Sequence, residues 1–166
     1  MSRPLESIRI AMATPADVPE ILAMIRQLAE YERLASAVTA TESQLRATLF
    51  GKEPPAEVLL AFLQRECVGF ALFFRTYSTF LASPGLWLED LFVKPQARGQ
   101  GVGSALLARV AAIAAARGCA RLEWSVLRWN KPALAFYAAR GAVPMEDWIT
   151  CRLAGEPLER LAGKIG

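Results

Sequence analysis

"VKPQARGQGVGSALL", residues 93–107, decides how the chain is read. Glycines stand at 99, 101 and 103, and an apolar pattern with helical spacing follows at once. Glycine costs backbone entropy, so this alternation marks a place where the main chain turns sharply or comes close to something. A helix opened by glycines leaves its first N–H groups unpaired at its positive end, which makes an anion site. Arg98, just before the turn, adds a charge suited to phosphate.

Two better-known loops fit poorly. A P-loop needs GxxxxGK[ST], and here Ser104 follows Gly103 with no lysine between them. A dinucleotide fingerprint needs GxGxxG directly after a strand. This chain offers GxGxG, separated from the preceding apolar run by "KPQAR", although Glu123 stands near the distance of a ribose-binding acid. A tight strand-to-helix turn that holds no ligand is the plain alternative.

Outward from the loop, the spacing predicts alternating elements. "IRIAMA" (8–13) reads as a strand, and Thr14-Pro15-Ala16-Asp17 starts a helix that runs to about Arg33. Thr41 and Gln44 form a second capping box for a shorter helix ending at Gly51. "EVLLAFLQR" and "CVGFALFFRTY" predict two strands joined tightly near Glu66, and "LWLEDLFV" (86–93) a third. A helix from Gly99 to about Arg117 buries Leu106, Leu107, Val110 and Ile113, and Gly118 closes it. "ARLEWSV" (120–126) is a strand, and "NKPALAFYAARG" a short helix capped by Asn130 and ended by Gly141. A strand region over 142–153 and a small helical turn at "GEPLERLAG" complete the chain. The order predicts one α/β (α+β) domain over residues 1–166, with helices on both faces of a sheet.

Composition narrows the chemistry. The 166 residues, 54% of them hydrophobic, suffice for one core. The net charge of +3 comes from 19 Lys and Arg scattered among 16 Asp and Glu, which is no basic stripe for nucleic acid. No histidine occurs, which excludes Ser-His-Asp and Cys-His catalysis and His-ligated metals. Cys67, Cys119 and Cys151 stand far apart in apolar settings, so they are expected as buried core thiols in a reducing compartment, with no metal site. The start of the chain carries Glu6 rather than an apolar leader, and the apolar run 105–116 is short and interrupted by Arg109. A soluble cytoplasmic protein, binding neither membrane nor nucleic acid, is expected.

"VKPQARGQGVGSALL" resembles the signature of the GNAT superfamily of N-acetyltransferases, with Arg98-x-x-Gly101-x-Gly103 matching the loop that binds the pyrophosphate of acetyl-CoA. The resemblance extends through "LAEYE", "YSTF", "LEDLFV", "WNKPALAFYAARGA" and "RLAGEPLERLA" to the diamine (spermidine/spermine) acetyltransferase branch and its thialysine-acetylating relatives. It implies a mixed, mostly antiparallel sheet splayed where two strands part for the cofactor. It further implies that Arg98, Gly99, Gln100, Gly101, Val102, Gly103 and Ser104 hold acetyl-CoA. Leu91, Phe92 and Val93 would offer backbone groups to its acetyl-pantetheine arm. Glu123, Trp124 and Ser125, with Asn130, Lys131, Pro132 and Ala133, match other cofactor-contacting positions. Asn130 is equally a helix cap. Members of this branch often form dimers through the C-terminal strand, so a homodimer is implied.

Amide formation needs a neutral amine, yet an alkyl amine of pKa ~10.4 is only about one part in a thousand neutral near pH 7.4. The site must help the amine lose a proton and then protonate the departing thiolate. The resemblance gives the second task to Tyr137, whose plain alternative is a core aromatic on a short helix. It gives Glu89 contact with the amine or its deprotonating water, and places Tyr31, Glu32 and Asp90 along the substrate. Glu89 and Asp90 interrupt an apolar strand, so one should face each side unless a bulge intervenes. Salt bridges to Arg98 or Arg121 would give them a purely structural use, and Glu32 beside Glu30 reads by itself as a solvated helix end.

The tight turn near Glu66 and "YSTFLASPGLW" (77–87) depart from the mammalian diamine enzymes, so the amine stays open: a polyamine, a lysine-like amino acid or an aminoglycoside. A lysine-like substrate would additionally want a cation near its carboxylate. Two other classes compete. A non-catalytic acyl-CoA sensor would keep the loop without needing Glu89 and Tyr137, and a nucleotide-dependent oxidoreductase would bind NAD(P)H at the glycines.

Overall fold

The computed structural model describes residues 8–163, so Glu6 lies outside the described residues. The chain forms two compact units, divided between Leu127 and Arg128.

The first unit is built on a five-stranded sheet in the order β1 (Ile8–Met12), β2 (Glu57–Leu63), β3 (Glu66–Ser78), β4 (Ser83–Val93) and β5 (Leu122–Trp124). The first four strands pair antiparallel, and β5 joins β4 in parallel. Neighbouring antiparallel strands need only short connections, as at the Gln64-Arg65 turn, while the parallel return takes a helical crossover.

The Thr14–Asp17 box opens a 3-10 turn at Pro15–Asp17 that runs on into α1 (Val18–Tyr31), and α2 (Glu42–Leu49) starts directly after its cap Thr41, as expected. The Thr14 amide and hydroxyl both donate to Asp17 Oδ2 at 2.7 Å. The Thr41 amide donates to Gln44 Oε1 at 2.9 Å, and the Gln44 amide returns a bond to Thr41 Oγ1. These caps satisfy donors that a helix start would otherwise leave unpaired. Ile21, Met24 and Leu49 then pack with Val58, Leu60, Phe70 and Phe92 into one cluster on one side of the sheet. Lys94 Nζ, largely buried, meets Glu20 Oε1 at 2.9 Å and ties α1 to the end of β4.

The crossover helix α3 (Val102–Ala116) covers the opposite side. Gly69 on β3 admits it: a Cβ there would lie 2.7 Å from the Phe92 carbonyl and 3.3 Å from Leu106 Cδ1. The helix begins at Val102 rather than Gly99, because Gly99 (φ 75°) and Gly101 (φ 86°) take left-handed conformations that a right-handed helix cannot include. Along it Leu106, Leu107 and Val110 are buried as expected, whereas Ala114 takes the place of the half-buried Ile113.

In the second unit, α4 (Lys131–Ala138) is capped by Asn130, whose Oδ1 accepts from the Ala133 amide at 3.3 Å, and α5 (Glu156–Ala162) lies near the end. The expected strand over 142–153 does not form. Its backbone meets no strand partner among the described residues, Pro144 has no N–H to donate, and Val143 and Ile149 stay 78% and 83% exposed. The same lack of cover corrects the reading of the cysteines. Cys67 is buried and Cys119 half-buried, but Cys151 is exposed. Among the described residues, no helix is long and apolar enough to cross a membrane.

Candidate active site

The register between β3 and β4 slips by one residue at the two acids. Leu72 pairs with Asp90 but Phe73 pairs with Leu88, so Glu89 is an extra residue in β4 with no partner on β3. Such a bulge bends a strand and re-aims its side chains. Asp90 therefore shares the face of Leu72 and Phe92, toward α1, and Glu89 is freed from strict alternation. The indole N–H of Trp87, two residues back, donates to Glu89 Oε2 at 2.9 Å.

Burial pushes the Asp90 carboxyl up to about 7, and the neighbouring charges of Glu89 and Glu32 push in the same direction. Glu32 caps the C-terminal end of α1, and its own carboxyl is raised by burial. Three carboxyl groups thus converge where a helix terminus already presents negative potential. The two cations that offered them a structural use are engaged elsewhere. Arg121 Nε pairs with Glu123 Oε2 at 2.6 Å, and Arg98 Nε donates to the Val93 carbonyl at 3.0 Å. A neutralisable acid flanked by two more carboxyls can attract an alkylammonium and accept its proton.

Beside these acids the sheet opens. Strands β4 and β5 pair only over Leu86–Leu88 against Leu122–Trp124, so from Glu89 to Val93 this edge of β4 faces no strand among the described residues. Leu91, Phe92 and Val93 lie on that edge. Beyond it come a 3-10 turn at Pro95–Ala97, the two left-handed glycines and the start of α3. Gly101 supplies no side-chain cap, so the first-turn amides around Val102, Gly103 and Ser104 are capped by no side chain of that residue. A Cβ at Gly99 would meet nothing within 4 Å, which leaves open space on that side of the loop. Gln100 Nε2 bonds the Gln96 carbonyl at 3.1 Å and steadies the turn. An unpaired strand edge leading to an uncapped helix entrance suits a long ligand with an amide-rich arm and a diphosphate, which fits acetyl-CoA.

The sequence pattern of the acetyltransferase (GNAT) family matches residues 22–142. The chain belongs to the GNAT acetyltransferase family. It is 40% identical to a thialysine N-epsilon-acetyltransferase from Sus scrofa, over 96% of this chain and all of that protein. It is 34% identical to an L-ornithine N5-acetyltransferase from Arabidopsis thaliana, over 92% of this chain and 87% of that one. An integron cassette protein from the mobile metagenome of V. cholerae superposes with a TM-score of 0.79 at 26% identity, covering 94% and 98% of the two chains. The mixed sheet, its parted strands and the glycine loop are therefore the GNAT fold, and the acetyltransferase falls in the branch that the sequence resembles.

The acetyltransferase gathers some of the expected site residues and distributes others. Glu32, Glu89 and Asp90 share one neighbourhood, and Tyr31 lies under the Arg98 guanidinium, 4.7 Å from its ring centre. Glu123 is held by Arg121, while Trp124 is half-buried and Ser125 exposed. Asn130, Lys131, Pro132, Ala133 and Tyr137 belong to the second unit, where Tyr137 is half-buried and sits edge-on to Phe136 at 5.1 Å. Sequence reasoning missed Trp87 as the partner of Glu89. The i, i+2 spacing on one strand was the available signal.

Proposed function

We propose that this chain transfers the acetyl group of acetyl-CoA directly to the terminal amine of a small basic amino acid of the lysine or ornithine type. The observation that carries this reading is the convergence of Glu32, Glu89 and Asp90 at the β4 bulge, next to the free edge of β4. The activities of the relatives, acetylation of thialysine and of ornithine, support the same substrate class.

Acetyl-CoA supplies an acetyl thioester. The amides from Gly99 to Ser104 hold its diphosphate, helped by the charge of Arg98, and the backbone of Leu91–Val93 lies along its arm. The incoming ammonium is drawn by the three carboxyls. Asp90, raised to about 7, is partly ionised near neutrality and takes the proton that must leave before the nitrogen attacks. Glu89, anchored by Trp87, keeps the amine oriented. Tyr137 donates to the departing thiolate, a role assigned through the family resemblance. Glu123–Ser125 and Asn130–Ala133 complete the coenzyme contacts, Asn130 doing so while it caps α4. The family match runs across the boundary between the two units, which supports reading them as one catalytic domain.

A homodimer is part of this reading, supported by the exposed Val143, Trp148 and Ile149 of the second unit. So is a cytoplasmic location, where acetyl-CoA is at hand and three free cysteines stay reduced. Thiol release from acetyl-CoA, followed over L-lysine, thialysine, L-ornithine, spermidine and an aminoglycoside, tests the function. Turnover with the amino acids is expected; thiol release with none of these amines would overturn the reading. Sedimentation of a monomer would remove the dimer.

A further inference from the structure

Arg98 is held by contacts that do not neutralise it. Its Nε donates to the Val93 carbonyl at 3.0 Å, and its backbone amide to the Pro95 carbonyl at 3.2 Å. The guanidinium carbon lies 4.7 Å from the centre of the Tyr31 ring and 5.9 Å from that of Phe92. Among the described residues Arg98 joins no ion pair, and its Nη1 and Nη2 donors make no hydrogen bond. The residue stays exposed.

An acid stands in the same surroundings and is not used. A cavity of about 330 Å³ is lined by Gln27, Glu30, Tyr31, Phe92, Pro95 and Arg98, and no ion pair joins its one acid, Glu30, to Arg98. A carboxylate partner would hold a guanidinium but cancel the charge that a diphosphate must meet. An aromatic face holds it through the ring quadrupole and adds no net charge. These partners suit an arginine kept oriented and still cationic for an incoming anion.

The ring itself is anchored independently of the loop. Tyr31 ends α1, which is fixed to the core through the buried Ile21 and Met24. The Lys94–Glu20 pair at 2.9 Å then ties α1 to the chain four residues before Arg98.

Given the proposed function, on which this step rests, we infer that Tyr31 is a positioning residue for the coenzyme, its ring holding the Arg98 guanidinium ready for the diphosphate. The family resemblance places Tyr31 along the amine; here it stands behind the arginine of the glycine loop. Without that ring the long side chain must be ordered as the ligand binds, which weakens binding roughly three- to tenfold.

The test follows Tyr31→Leu and Tyr31→Phe in the full chain. Coenzyme A binding by calorimetry should weaken roughly three- to tenfold in Tyr31→Leu. Tyr31→Phe keeps the ring and should restore the affinity to within about twofold. In an Arg98→Gln background Tyr31→Leu should weaken binding no further, which a double-mutant cycle reads directly. S-acetylpantetheine, a donor without the diphosphate, separates positioning from general damage. With L-lysine as acceptor, the ratio of kcat/KM for acetyl-CoA to that for acetylpantetheine should fall in Tyr31→Leu by the same factor as the affinity. Equal losses with both donors, or calorimetric effects of Tyr31→Leu and Arg98→Gln that simply add, would overturn the role. A raised KM for lysine with coenzyme A affinity intact would also do so, by returning Tyr31 to the amine. The calorimetric cycle needs no turnover, so failure of the acetyl-transfer reading leaves it decisive. Wild-type chain that binds no coenzyme A would sink the coenzyme reading of the loop, and this role with it.

Discussion

The indole nitrogen of Trp87 lies 2.9 Å from Oε2 of Glu89, and this bond spans the bulge at which β4 gains its extra residue. A bulge residue without a cross-strand partner has no ladder to fix it, so the indole supplies the restraint that the sheet does not.

Replacing Trp87 with Phe keeps an aromatic ring and removes the donor. The kcat for the amine is expected to fall roughly five- to tenfold, as for loss of one hydrogen bond to a charged group, with KM for acetyl-CoA unchanged. Freed from its tether, the Glu89 charge acts less on Asp90, so the acid limb of the kcat/KM profile moves to lower pH. In a Glu89→Ala background the same substitution should cost little further activity, which a double-mutant cycle measures directly.

Asp90 ties activity and stability to pH with opposite signs. Its folded-state value of about 7 lies above its ordinary 3.8, so the native state holds this proton more tightly than the unfolded chain. Its contribution to stability is therefore full below about pH 4 and lost as pH rises through about 7. Asp90→Asn should abolish that part of the pH dependence and stabilise the protein above pH 7 relative to wild type, as read from urea unfolding at pH 5 and pH 8. Activity follows the other direction: wild-type kcat/KM climbs through the same range as Asp90 ionises, and the Asn variant loses roughly 10²-fold or more.

Tyr137→Phe retains the ring edge against Phe136 and deletes the phenol. Acetyl-CoA binding by calorimetry should persist while turnover drops on the order of 10²-fold, the range for loss of a general acid. Unchanged turnover would remove Tyr137 from the mechanism.

Gly101 sits at φ 86°, where an added Cβ would come within an ordinary 3.7 Å of Ile8 Cδ1, so conformation rather than space demands glycine. Gly101→Ala should cost about 1–2 kcal/mol of stability through left-handed strain. By distorting the entrance to α3, it should also raise KM for acetyl-CoA more than KM for the amine. Denaturant titration and steady-state kinetics separate the two effects.

Features encoded over a few consecutive residues were legible in the sequence. The Thr14–Asp17 and Thr41–Gln44 boxes announced two helices, and the alternating glycines announced the loop. Features that depend on a neighbour were not. The slip that leaves Glu89 unpaired belongs to the pairing of β4 with β3, and alternation along β4 alone offers no sign of it. Residues 142–153 carry strand-like apolar content, but content cannot supply the adjacent backbone that a strand requires. The cavity lined by Glu30 and Arg98 joins positions 68 residues apart, which no local pattern announces, while Glu30 itself is exposed, as its place at a helix end predicts.

The brief union of β4 with β5 also bears on how the protein behaves in the tube. On that edge the stretch past Leu88 pairs with no strand among the described residues, and a strand edge without a neighbour is a template on which an extended polypeptide can zip. Coenzyme bound along that edge, as proposed, would act as a chaperone for the enzyme's own surface. Concentrated stocks should clump when stripped of coenzyme A and stay clear when saturated with it.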